Sequence, residues 1–182
     1  MRRGFKAEAE RLATRARSEA GMGPHDRLDV THLAEHVGAS VRLADELTDR
    51  ANLEKLEEIQ PGAFSAATFD LGGRLVIVTN PLAEEVRRRS DVSHEVAHLL
   101  LEHQVKEVEK LGSMSFFTCD PEEEQEATWL AGCLLLPRDM LVKALNSGMD
   151  ADVIAAANTV SVQMANFRIR TTGALVQVRR RR

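Results

Sequence analysis

The sequence predicts an α+β fold, with a small β-sheet set against two helices and a helical part after them. Three observations predict it. The run His94-Glu95-Val96-Ala97-His98 lies in a stretch apolar enough to be a buried helix. Pro121 followed by Glu122, Glu123 and Glu124 makes a strong start for a second helix, which runs apolar up to Pro137. Between residues 63 and 79, two β-prone runs flank the turn residues Asp70-Leu71-Gly72-Gly73.

Composition sets the bounds. The chain has 182 residues, 43% of them hydrophobic, enough for one domain or one domain with a small appendage. A net charge of −4 gives no global attraction to nucleic acid. No run is long and apolar enough to span a membrane, and Met1-Arg2-Arg3-Gly4-Phe5-Lys6 lacks the apolar stretch of a signal peptide. The expected compartment is therefore the cytoplasm, with no membrane partner. Two cysteines, Cys119 and Cys133, are too few for a disulfide framework and read as buried free thiols.

In chain order, Phe5 to about Ala20 reads as an amphipathic helix ended by Gly21-Met22-Gly23-Pro24. A short helix from Val30 to Val37 follows, with Asp29 as cap and Gly38 as stop. Val41 to Leu43 reads as a short strand, and the charged stretch from Leu47 to Gln60 as a short helix or connector. The hairpin comes next, from Ala63 to Phe69 and from Arg74 to Thr79, with Leu75-Val76-Ile77-Val78 strongly β-prone. One of its strands is a candidate edge for pairing with an extended peptide; the alternative is plain sheet core. Asn80-Pro81 reads as cap and first residue of a helix that leads, with a break at Ser90, into the His94 helix. The run Arg87-Arg88-Arg89 is either a solvated face or a contact for an acidic substrate segment. Gly112-Ser113-Met114-Ser115 reads as a loop able to cover a cleft.

After Pro137 three helices are expected: Asp139 to Asn146, Asp150 to Asn158, and one capped by Ser161 that runs to Arg170. The last two have the cadence of a helix-turn-helix, and Ala151 to Arg182 carries a net charge of +5. DNA binding is thereby admitted but not favoured. The terminal Arg179-Arg180-Arg181-Arg182 reads as a basic tail.

The chemistry lies in spacing. On a helix, residues four apart share a face, so His94 and His98 can offer two imidazoles to one cation. Glu95 sits about 100° round from His94, where a carboxylate can act as general base on a water held by that cation. The cation implied is zinc and the reaction implied is peptide-bond hydrolysis. A third ligand is required. The pattern H-E-x-x-H-x-x-G-x-x-H fails, because Leu101 and Gln104 occupy the glycine and third histidine positions. His103, continued on the same helix, points about 180° away from His94. Glu124 is the better candidate, with Thr128 one turn on as a small polar group able to orient a ligand histidine. The run His32-Leu33-Ala34-Glu35-His36 has the same residue types in inverted order. Its histidines point away from the stripe formed by Val30, Leu33 and Val37, so they read as solvent-facing.

His94-Glu95-Val96-Ala97-His98, then Glu124-Gln125-Glu126-Ala127, closed by Leu134-Leu135-Leu136-Pro137, resembles the ImmA/IrrE family of metallopeptidases. The resemblance extends upstream to Arg87-Arg88-Arg89-Ser90-Asp91-Val92-Ser93 and downstream to Val160-Ser161, over about residues 7 to 175. The chain departs from the family pattern at Thr128, where asparagine is usual, and at Leu130, where phenylalanine is usual. It also has no tyrosine, so a histidine or arginine would have to serve as oxyanion donor. The resemblance implies a zincin-like core in residues 1–145 with an H-E-x-x-H…E site. His94, His98 and Glu124 would be metal ligands and Glu95 the catalytic base. It further implies a helical, HTH-like extension packed on the core over 146–178, with a tail at 179–182. The implied cofactor is Zn2+, with Mn2+ or another divalent ion as alternative. The implied substrate is a Cro/Xre-type repressor protein. The competing reading is a non-catalytic DNA- or repressor-binding regulator, or a toxin-antitoxin component. Its zinc would be purely structural, closed by a fourth ligand such as Cys119 or His103.

Overall fold

The computed structural model describes residues 1–103, 108–111, 114–117 and 120–179. Its nucleus is a helix pair. Helix α4 (Glu85–Leu100) packs along α5 (Pro121–Leu135), and α1 (Phe5–Glu19) packs on α5 as well. Phe5, Ala9, Ala13 and Ala16 recur at helical spacing and are fully or almost fully buried. Three small side chains in that stripe let the α1 backbone come close to α5, whose Ala127, Leu130, Ala131 and Leu134 are equally buried.

The sheet has the order β1-β3-β2, from β1 (Ala39–Leu43), β2 (Ala66–Asp70) and β3 (Leu75–Thr79). β1 runs parallel to β3, and β2 is antiparallel to it, with Asp70 opposite Leu75. Gly72 and Gly73 adopt φ of 68° and 86°, the two positive values that a type I′ turn needs between twisted strands. Asp70 Oδ1 accepts the Gly73 amide at 2.6 Å. β3 is therefore central, with Ile77, Val78 and Thr79 buried, and β2 is an edge that faces α4.

Around this frame, α2 (Val30–His36) is capped by Asp29, whose carboxylate accepts from the Thr31 and His32 amides. The charged stretch expected as helix or connector is α3 (Arg50–Ile59), capped by Asp49. After α5 come α6 (Arg138–Asn146), α7 (Ala151–Asn158), α8 (Val162–Thr172) and α9 (Ala174–Arg179). α7 and α8 are joined by a short turn with Thr159 left-handed at φ 50°, and Ser161 caps α8.

Several expectations need correction. The helix does not begin at Pro81. The Asn80 side chain accepts the Leu82 amide and donates to the Phe64 carbonyl, so it closes a turn, and α4 starts at Glu85. Nor does it break at Ser90, because Arg87 and Asp91 form an i,i+4 ion pair that spans that position at 3.0 Å. Of the segment expected as a covering loop, Met114 begins the strand β5 (Met114–Phe117), paired antiparallel with β4 (Val108–Leu111). Gly112 and Ser113 lie outside the described residues, as do Cys119 and Arg180 to Arg182. Cys133 is a buried free thiol, its pKa pushed up to about 12 by desolvation. Among the described residues, no helix is long and apolar enough to cross a membrane.

Buried arginines join the C-terminal helices to the rest. Arg168, with no exposed surface, donates to Glu10 at 2.6 Å and to the Leu136 carbonyl at 3.1 Å. Arg89 donates to the carbonyls of Leu28, Asn158 and Thr159. Arg17 donates to the Leu134 carbonyl at 2.8 Å. Each guanidinium meets carbonyls at the ends of helices, where four acceptors are left without helical partners. The basic run is thus split by burial: Arg87 is exposed, Arg88 bonds the Ala83 carbonyl, and Arg89 is an internal fastener.

Candidate metal centre

α4 carries its histidines on the edge that faces α5. Val92, Val96 and Ala97 are buried on the other sides, which fixes the rotation of the helix. Ser93, one residue before the first histidine, donates to the Ala131 carbonyl at 3.3 Å and ties α4 to α5 directly. α5 is capped by Asp120, which accepts the Glu122 amide at 2.8 Å, and this places Glu124 on the first full turn.

The result is a cluster. One donor atom each from His94, His98 and Glu124 lie within 4.8 Å of one another. The two Nε2 atoms face each other at 3.0 Å. Glu124 Oε2 lies 3.3 Å from His94 Nε2, and Oε1 lies 3.5 Å from His98 Nε2. A tetrahedral ion bound at about 2.0–2.1 Å by two imidazoles holds their nitrogens roughly 3.3 Å apart. The donor set and its convergence therefore fit a divalent cation with two imidazoles and one carboxylate. Side-chain exposures of 24%, 12% and 32% for His94, His98 and Glu124 leave the cluster partly accessible to solvent. No other such group of histidine, cysteine, aspartate and glutamate occurs among the described residues.

Glu95 is not a member of the cluster. It is buried and accepts a 2.6 Å hydrogen bond from Thr68 of β2 on Oε2. That bond fixes one carboxylate oxygen. Thr128 is exposed and forms a wall between two recesses. The first, about 280 Å3, is lined by His94 with Arg87, Ser90 and Asp91. The second, about 290 Å3, is lined by Glu124 with Met1, Trp129 and Phe167. In the first recess the Asp91 carboxyl is pushed above its usual range by burial, against the opposing pull of Arg87.

Sequence reasoning missed two contributors and read a third differently. Thr68 lies in a strand read as sheet core or as an edge for a peptide, with no role for its side chain. Glu126 is buried and holds the N-terminus through the Arg2 amide at 3.0 Å and the Arg2 guanidinium at 3.3 Å. His103, rejected as third ligand on the helical wheel and considered only as a fourth ligand of a structural zinc, has its Nδ1 3.0 Å from His98 Nδ1. The wheel fails there because α4 ends at Leu100 and Glu102 turns the chain at φ 56°. Conversely, His32, Glu35 and His36 stay exposed on α2, and His32 Nε2 sits 2.9 Å from the Ala20 carbonyl.

Comparison with known proteins adds two findings. The model of the M78 peptidase family, described as the IrrE N-terminal-like domain, matches residues 53–170. A solved structure of a Mycobacterium tuberculosis transcriptional regulator superposes with a TM-score of 0.58 at 17% identity. The match covers 90% of this chain and 46% of that one, so the chain spans about half the length of that protein. No curated protein matches the sequence.

Proposed function

Because the chain belongs to the M78 peptidase family, whose domain is IrrE N-terminal-like, we propose that it is a zinc-dependent endopeptidase that cuts one bond in a Cro/Xre-type repressor. The observation that carries the reading is the convergence of His94, His98 and Glu124 from two helices, with Glu95 of the same helix as the histidines held by Thr68. His94, His98 and Glu124 would hold the ion and complete a zincin-like centre. When bound, zinc supplies Lewis acidity, lowering the pKa of a water towards ~7 and polarising the scissile carbonyl. Glu95 takes the proton of the attacking water and returns it to the leaving amine nitrogen. Thr68 holds that carboxylate so that its free oxygen keeps one direction through both transfers.

The remaining parts follow from position. β2 is an edge strand that contacts α4, and an extended peptide segment pairs along it. Thr128 separates the two recesses and helps orient His94. Arg87, exposed in the first recess, meets an acidic side chain of the substrate. Residues 1–145 form the catalytic unit and 146–178 a helical, HTH-like extension, and the contacts of α8 and α9 with α6 support its being packed on that unit. DNA binding through α7 and α8 is disfavoured. Arg168, one of the arginines behind the positive charge of this region, is fully buried against Glu10. The chain is read as cytoplasmic, where such a repressor acts.

The test is cleavage. The protein is mixed with Cro/Xre-type repressors, with casein as control. A single cut in a repressor is expected, abolished by a chelator and restored by zinc, with casein spared. Glu95→Gln is expected to keep the metal and lose cleavage by roughly 10^3-fold. Undiminished cleavage by that variant would sink the mechanism.

A further inference from the structure

A histidine that binds a metal through one ring nitrogen uses the other to fix its own tautomer, usually by donating to an acceptor behind it. His98 directs Nε2 towards His94 and Glu124, and its Nδ1 towards His103 Nδ1 at 3.0 Å. The two rings meet edge to face, with centroids 5.0 Å apart. We propose that His103 is a positioning residue for the metal centre, accepting the Nδ1 proton of His98 and so reserving the His98 Nε2 lone pair for the cation. The inference rests on reading His94, His98 and Glu124 as the metal site.

The proton assignment is forced by chemistry. Two imidazole nitrogens in contact require one donor and one acceptor. If His98 Nε2 carries the lone pair, its proton is on Nδ1, and His103 Nδ1 must be bare. His103 then carries its proton on Nε2. The opposite arrangement would put a proton on His98 Nε2, aimed at the centre of the cluster, where no cation could be taken.

The backbone builds this contact. On a continuing helix, five residues beyond His98 would fall about 140° round the axis, out of reach. Instead the Glu102 amide bonds the Leu99 carbonyl at 3.1 Å, and the His103 amide bonds the His98 carbonyl at 3.0 Å. These are the two bonds of a Schellman cap, which needs a left-handed residue at the position of Glu102. Glycine usually supplies that conformation, and here a residue with a Cβ adopts it. His98 and His103 are thus joined twice, through backbone and through rings. His103 reaches the side of His98 remote from the cluster and is not among the converging ligand atoms, so it does not close the site as a fourth ligand.

The test measures zinc affinity of the full chain by competition with a chromogenic chelator. His103→Ala is expected to weaken zinc binding by about 10–100-fold. The thermal unfolding of the metal-free protein should barely move. His103→Gln, whose amide oxygen can accept the same proton, is expected to restore much of the affinity. Nitrogen NMR of the zinc-loaded wild type should show His98 protonated at Nδ1 and coordinated through Nε2. Unchanged affinity in His103→Ala would overturn the proposal. So would a glutamine variant as weak as alanine, which would mean a packing role, or zinc coordination by His103 itself. Should His103→Ala fail to fold, the glutamine variant and the wild-type NMR decide alone. A wild-type chain that takes no zinc would fail the metal-site reading first, independently of any variant, and this inference with it.

Discussion

Two stretches of this chain carry two histidines and a glutamate within five positions, and they behave differently. His94, Glu95 and His98 sit on a 16-residue helix buried between a sheet edge and α5. His32, Glu35 and His36 sit on a seven-residue helix, exposed, with His32 turned to the Ala20 carbonyl. Spacing puts two imidazoles on one face in both. What differs is a second element packed at the right height to bring a carboxylate. Glu124 meets the α4 histidines because Ser93 and the buried faces of α4 and α5 hold the two helices together. A ligand pair on a helix is thus only half a site, and the packing of its neighbour supplies the rest.

That contrast can be broken deliberately. The largest effect is expected from Glu124→Ala, which should abolish stoichiometric zinc and cleavage, while Glu35→Ala leaves both intact; elemental analysis of the two purified variants checks this. Next, Thr68→Val removes the hydroxyl that holds Glu95. Hydrogen bonds to charged groups contribute about 1.5–3 kcal/mol, so kcat should fall about tenfold or more with zinc content unchanged. Gly132→Ala disturbs the packing of α5 itself. An added Cβ would meet Arg168 Cδ at 3.0 Å, and Arg168 is pinned by both Glu10 and the Leu136 carbonyl. Overpacking of this kind costs about 1–3 kcal/mol, read as a lower denaturant midpoint. The smallest effect is expected from His32→Ala and His36→Ala together, within about 0.5 kcal/mol in stability and with no change in metal content. A drop in zinc in that double variant would show that α2 contributes to a metal site after all.

Much of this was legible along the chain. The caps Asp29 and Ser161, the turn at Gly72-Gly73 and the acidic start of α5 are local chemistry, and each element forms where its residues favour it. Local rules misled where a residue serves a distant partner. The arginine run reads as surface until Arg89 is seen fastened to the Leu28 carbonyl 61 residues away. Asn80 reads as a helix cap but closes a turn beside the hairpin. Arg168 reads as positive charge for a partner, yet it is spent inside the protein on Glu10.

The sequence by itself determined which atoms could take a cation: two imidazoles one turn apart, and a carboxylate near the start of a second helix. Helical periodicity is a property of the backbone and needs no partner. Only the tertiary structure decided that those atoms converge, that Thr68 holds Glu95, and that His103 stands behind His98. Those relations depend on how far apart α4, α5 and β2 lie, and on a left-handed turn at Glu102 that ends the periodicity on which the wheel relied. Distances between elements are set by the packing of buried side chains against one another, and no repeat along the chain encodes them.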